Sequence, residues 1–159
     1  MQKSLSRVGL SLLVLASTIG VLAGCGSGEP TMNLVPVTGT VTLNGEPLEE
    51  ANVRFFDVNG KNQAASGKTD SDGKYNLGFS TYKGAMAGQY KVVIEHLTDL
   101  KGKPLIVDEG MDAQMLMMEG KAKQNLHPNY SSFTDTKLSA EVKSGSTKAF
   151  DFALKTDGS

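Results

Sequence analysis

The run Val37-Thr38-Gly39-Thr40-Val41-Thr42-Leu43 sets Val37, Gly39, Val41 and Leu43 on one side and three threonines on the other, and it ends in Asn44-Gly45. An alternation of period two belongs to a strand with one buried face, because successive side chains point to opposite sides of the pleat. Asn-Gly supports the two positive φ angles of a tight hairpin turn. The run therefore reads as a strand, with Ala51, Val53 and Phe55 expected as its return. The pattern recurs along the chain. A weaker strand is expected over residues 63–68, and Asp70-Ser71-Asp72-Gly73 marks a turn into the alternating Tyr75, Leu77 and Phe79. After the glycine-punctuated stretch 84–88, Tyr90, Val92 and Ile94 alternate against Lys91, Val93 and Glu95. Near the C-terminus Leu138, Ala140 and Val142 lead through Ser144-Gly145-Ser146 to a return at Phe150, Phe152 and Leu154. Seven short strands separated by turns predict an all-β sandwich.

Residues 97–136 break this rhythm, and a structureless connection of that length is unusual inside a compact domain. Met111, Met115 and Met118 recur there at i, i+4 and i+7 between Gly110 and Gly120. That spacing predicts a helix of two or three turns. Its simplest role is to pack the methionines onto the sheets. Because methionine is flexible and polarisable, the cluster could instead form an adaptable partner surface.

The N-terminal segment carries an address. Residues 1–7 hold Lys3 and Arg7 and no acid, and residues 8–23 are apolar or small throughout. This is the order of an export signal. The 16-residue apolar stretch falls short of the roughly 20 residues that span a bilayer as a helix. No Arg-Arg pair precedes it, which favours the general secretory route. An ordinary cleaved signal would leave Cys25, the only cysteine, as an odd thiol in an oxidising compartment. Leu22-Ala23-Gly24-Cys25 resembles the lipobox of bacterial lipoproteins. That resemblance implies removal of residues 1–24, a diacylglycerol thioether on Cys25, and a fatty acyl group such as palmitate on the new amine. Residues 25–35 are then a small, polar tether. It averages roughly 17 Å and reaches about 35 Å. Gly26 follows the cysteine where an aspartate would signal inner-membrane retention, so the expected location is the cell envelope, periplasmic or on the outer face.

Without the leader, 14 basic residues meet 17 acidic ones, a balance of −3. This lacks the basic footprint of a nucleic-acid binder. With Cys25 modified no disulfide can form, so the core alone must stabilise the fold. Arg54 is the only arginine of the mature part, and tryptophan is absent. Arginine forks for phosphates and indole faces for sugars are thus scarce.

A second resemblance rests on an ordered series of motifs. Val37-Thr38-Gly39-Thr40-Val41-Thr42-Leu43-Asn44-Gly45-Glu46-Pro47-Leu48, Ala51-Asn52-Val53-Arg54-Phe55, Gly67-Lys68-Thr69-Asp70-Ser71-Asp72-Gly73-Lys74-Tyr75 and Ala87-Gly88-Gln89-Tyr90-Lys91-Val92 look like a carboxypeptidase regulatory-like domain. His127-Pro128-Asn129-Tyr130, Thr136-Lys137-Leu138 and Phe150-Asp151-Phe152 are similar to the end of small bacterial lipoproteins built on that domain. The resemblance covers about residues 36–155, interrupted by the insertion. It implies a seven-stranded transthyretin-like (prealbumin-like) sandwich with a long, partly helical insertion and a non-catalytic accessory role.

The candidate chemical constellations fail on their spacing. Asp70, Asp72 and Gly73 echo a calcium loop. Placing Gly73 at the loop's sixth position, however, sets Lys68 and Phe79 where carboxylates are needed. A zinc hydrolase needs converging imidazoles and carboxylates, whereas only His96 and His127 exist, and His96-Leu97-Thr98-Asp99 is a poor match. No Gly-x-Ser-x-Gly elbow occurs. The expectation is a membrane-tethered protein with no catalytic residues, metal or cofactor. Its partners would be membrane lipid through Cys25 and an envelope protein contacting Met111, Met115 and Met118. The alternative is an oligosaccharide- or peptide-binding module that uses the insertion as a lip, with Tyr82, Tyr130 and Phe133 on one concave surface.

Overall fold

The computed structural model describes residues 33–106 and 113–159. Cys25, the lipobox residues Leu22, Ala23 and Gly24, the tether up to residue 32, and Met111 lie outside the described residues. After β1 (Leu34–Val35), the alternating run is β2 (Val37–Leu43), with Val37, Gly39 and Val41 buried. Asn44 (φ 54) and Gly45 (φ 90) make the expected turn. The return is only two residues long, β3 (Glu46–Pro47): Leu48 N still bonds Val41 O, but Val41 N donates to Gly73 O at 2.8 Å and Leu48 O accepts the Thr69 hydroxyl, so the ladder ends there.

The longer strand expected to return, β4 (Asn52–Asp57), pairs not with β2 but with β5 (Ala65–Lys68) in another sheet. Thr69 fixes this crossing. Its buried hydroxyl accepts from Ala51 N at 2.8 Å and donates to Leu48 O at 2.6 Å. The expected run from Tyr75 to Phe79 likewise divides. Its first half, β6 (Lys74–Asn76), pairs with β2, and its second, β7 (Gly78–Phe79), pairs with β5. Beyond them lie β8 (Tyr82–Lys83), β9 (Ala85–Met86), which pairs with β1, and β10 (Gly88–Glu95), which pairs with β4.

The insertion carries regular structure of its own. β11 (Leu97–Thr98) is followed by α1 (Ala113–Met118), β12 (Lys123–Gln124) and α2 (Pro128–Ser131), and β11 pairs with β12. His127 caps α2, its Nδ1 accepting from Asn129 N at 3.1 Å. Then come β13 (Ser139–Val142), β14 (Lys148–Ala149) and β15 (Phe152–Leu154). The expected C-terminal hairpin is not formed, since β13 pairs with β10 while β14 and β15 run parallel to β2. Two contacts pull the return across. Phe150 and Phe152 place their rings 5.8 and 6.3 Å from Phe55 of β4. Between β14 and β15, the Asp151 carboxylate accepts from Thr40 N at 2.8 Å and keeps that edge of β2 bonded.

The described residues therefore form an all-β fold with short helices. A six-stranded antiparallel sheet runs β13-β10-β4-β5-β7-β8, and a second sheet is centred on β2. Val37, Val41, Val53, Phe55, Val92, Ile94 and Leu154, drawn from both sheets, belong to one buried cluster. Gly39 is the tightest point between them. A Cβ there would overlap Phe150 O and lie 2.8 Å from Tyr75 Cε1. Gly39→Ala is expected to cost at least about 3 kcal/mol in urea unfolding, the range of a severe core overlap. Gly45→Ala meets nothing within 4 Å and should cost only about 1 kcal/mol, from its positive φ.

Candidate functional site

The acids of the turns are committed to their own loops. Asp70 Oδ1 accepts from Asp72 N and Lys74 N, and Asp99 Oδ1 from Lys101 N and Lys103 N. Asp57 accepts from three N–H groups, at Asn59, Lys61 and Asn62, and these hold its carboxyl below the usual range. Such bonds shape a turn by satisfying its free N–H groups. Among the described residues, no group of three or more His, Cys, Asp or Glu side chains is placed to hold a metal.

The remaining polar side chains separate into used and unused. Tyr75, Tyr90 and Tyr130 each donate to a backbone carbonyl, at Phe150, Met86 and Ser159 respectively. Burial pushes the Tyr75 and Tyr90 hydroxyls above their ordinary range. Arg54 pairs with Glu95 at 3.1 Å and lies over the Phe56 ring. His96 is buried, at 4% exposure. Its Nδ1 lies 3.2 Å from Asn125 Nδ2, while its Nε2 and the nearby Thr98 Oγ1 are buried without a hydrogen-bond partner among the described residues.

Among the described residues, two exposed surfaces stand out. One is α1. Packing of the methionines onto the sheets, the simpler expectation, is not what the structure has. The helix contains no buried residue, and Met115 and Met118 are 57% and 82% exposed. Gly120 (φ 67) ends the helix, with Gly120 N bonded to Met117 O and Lys121 N to Leu116 O, the pair of bonds that closes a helix on a left-handed residue. Only Ala122, just beyond, is buried. Leu100 and Ile106 are also exposed on this insertion.

The other is a cleft of about 690 Å³ between the start of β2, β6 and the turn joining β7 to β8. Thr38, Ser66, Asn76, Phe79, Tyr82 and Lys83 line it. Tyr82 is the one tyrosine whose hydroxyl has no partner among the described residues, and its ring stands 5.6 Å from that of Phe79. Tyr82, Tyr130 and Phe133 do not share a surface. Tyr130 is buried, and Phe133 packs edge-on against Phe56 under Lys91. Sequence reasoning assigned Phe79 to the inward face of a single long strand and so missed this cleft. The available signal was Phe79-Ser80-Thr81-Tyr82, two aromatics flanking a two-residue turn.

No family model matches the chain, and no curated protein matches it. Among solved structures, the crystal structure of a 9R-lipoxygenase from Cyanothece PCC8801 aligns over 80% of this chain and 17% of its own, at 15% identity and a TM-score of 0.34. A likeness that low carries no argument about fold or activity.

Burial lowers the His96 pKa, and the Glu50 carboxylate, itself 3.2 Å from Lys68 Nζ, opposes the shift only in part. The unfolded chain therefore takes up this proton first as pH falls below about 6.5. Stability should be at its full value above that pH and decline from there towards pH 5. Urea titrations should show that decline flattened in His96→Gln; an unchanged slope would assign it to other groups.

Proposed function

We propose that the chain is a lipid-anchored, non-enzymatic lipoprotein of the cell envelope that works through protein contacts. Its folded part reads as a carboxypeptidase regulatory-like domain of the seven-stranded transthyretin-like type. Support for that type comes from two sheets sharing one aromatic-rich core and from a Gly39 strand paired along both edges. Support for the anchor is the Leu22-Ala23-Gly24-Cys25 motif behind an apolar leader.

The observation that carries the contact role is the placement of the exposed methionines. The described chain enters at β1, paired with β9 just ahead of β10, whereas the insertion bearing α1 departs from the opposite end of β10. Eight extended residues put about 26 Å between these ends. Met115, Met117 and Met118 are exposed on that insertion. Exposed methionines on a short helix suit a surface that adapts to a partner protein. A second reading, an oligosaccharide- or peptide-binding module, draws on the Tyr82 cleft.

Cys25→Ser should abolish incorporation of labelled palmitate and move the protein from the membrane pellet to the soluble fraction, with its circular dichroism unchanged. Retention in the pellet would overturn the anchor. A photo-reactive methionine analogue at position 118 should capture a discrete envelope protein in cells, and Met115→Lys should abolish the adduct. Labelling of lipid alone would overturn the contact role.

A further inference from the structure

We propose that the cleft beneath the turn joining β7 to β8 binds a short oligosaccharide. The inference deepens the second reading above and is independent of the lipid anchor. At about 690 Å³ the cleft falls within the roughly 300–1,000 Å³ of small-molecule sites. Its walls come from both sheets, with Thr38 and Asn76 on one side and Ser66, Phe79, Tyr82 and Lys83 on the other.

The chemistry of this lining fits a sugar. Tyr82 is 45% exposed, and Phe79 braces its ring at an interplanar angle of 36°. An aromatic face carries negative charge density that attracts the C–H face of a pyranose. Beside it, the Thr38 and Ser66 hydroxyls and the Asn76 amide make no hydrogen bond within the described residues. Two hydroxyls and an amide each donate and accept, which matches the mixed character of ring hydroxyls. Lys83 is the sole charged group in the lining, and no carboxylate lines the cleft. Neutral and acid-bearing sugars are therefore admitted, while a cationic ligand finds no counter-charge. An extended peptide is disfavoured because β8, the edge strand, offers only two residues of backbone, and strand addition needs a longer row of free groups.

The same ring chemistry could come from a soluble glycan or from a glycolipid headgroup. Saturation-transfer NMR on the full-length protein in detergent, with maltotriose, chitotriose and trigalacturonate as probes and tetra-alanine as the peptide control, tests the site. At least one trisaccharide should receive saturation, and Tyr82→Ala and Asn76→Ala should each weaken its binding at least tenfold. Both side chains are exposed, so thermal midpoints should move by no more than about 2 °C. If either variant unfolds, Ser66→Val supplies the same readout. Displacement of the sugar by micelles containing digalactosyl diacylglycerol would assign a lipid source and its failure a soluble one, and either result upholds the site. No transfer to any trisaccharide, binding unchanged in the folded variants, or transfer to tetra-alanine alone would overturn it.

Discussion

Phe150 runs alongside β2 at Gly39 with its carbonyl where a Gly39 side chain would stand, and the arrangement of both sheets depends on that position having no side chain. The Phe150 carbonyl accepts the Tyr75 hydroxyl at 2.7 Å, and its N–H donates to Thr38 O at 2.8 Å. Its ring meets Phe55 on the other sheet. One residue thus closes the C-terminal edge of β2, satisfies a buried phenol and joins the layers. A buried hydroxyl left without a partner would cost about 1–3 kcal/mol, so the backbone hydrogen bond is as necessary as the ring contacts. With β3 and β6 on its other side, β2 has its backbone groups paired along both edges.

Most of the side chains that could perform chemistry are engaged in maintaining this arrangement. Asp57, Asp70 and Asp99 organise turns, Asp151 substitutes for a backbone carbonyl along β2, and Thr69 clamps the crossing from β3 to β4. Tyr130 and Asn129 bind the C-terminal segment through Ser159 O and Gly158 O. Among the described residues, two exposed places stand apart from this framework, Met117 and Met118 of α1 and the cleft at Tyr82. They lie in different parts of the chain, since the cleft is lined by residues between Pro36 and Gly84 while the insertion starts beyond Glu95.

The strands and their buried faces were legible because alternation is a local property. Tyr90, Val92 and Ile94 are buried as their spacing implies, and Asn44 and Gly45 take the positive φ angles their identities allow. Which strand pairs with which was not legible. The expected partner of β2 was β4 and the expected partner of β13 was β15, yet each pair is divided between sheets. Adjacency in sequence favours a hairpin only when the turn and the flanking strands agree. Here the Val41 bond to Gly73, the Thr69 clamp and the aromatic pull of Phe55 override it. The methionine helix was legible as a helix, but its exposure was not, because burial depends on what lies opposite.

The sequence by itself determined the apolar N-terminal run that ends at the single cysteine, the all-β character and the turn positions. Each of these is local or compositional, carried by residue identity and short-range spacing. Only the tertiary structure decided the division of strands between sheets, the burial of His96, the exposure of Met115 and Met118, and the cleft at Tyr82. These depend on contacts between residues far apart in the chain, such as Thr40 with Asp151 and Tyr75 with Phe150. Such contacts form where packing and hydrogen-bond satisfaction are met together, a condition that no local pattern encodes.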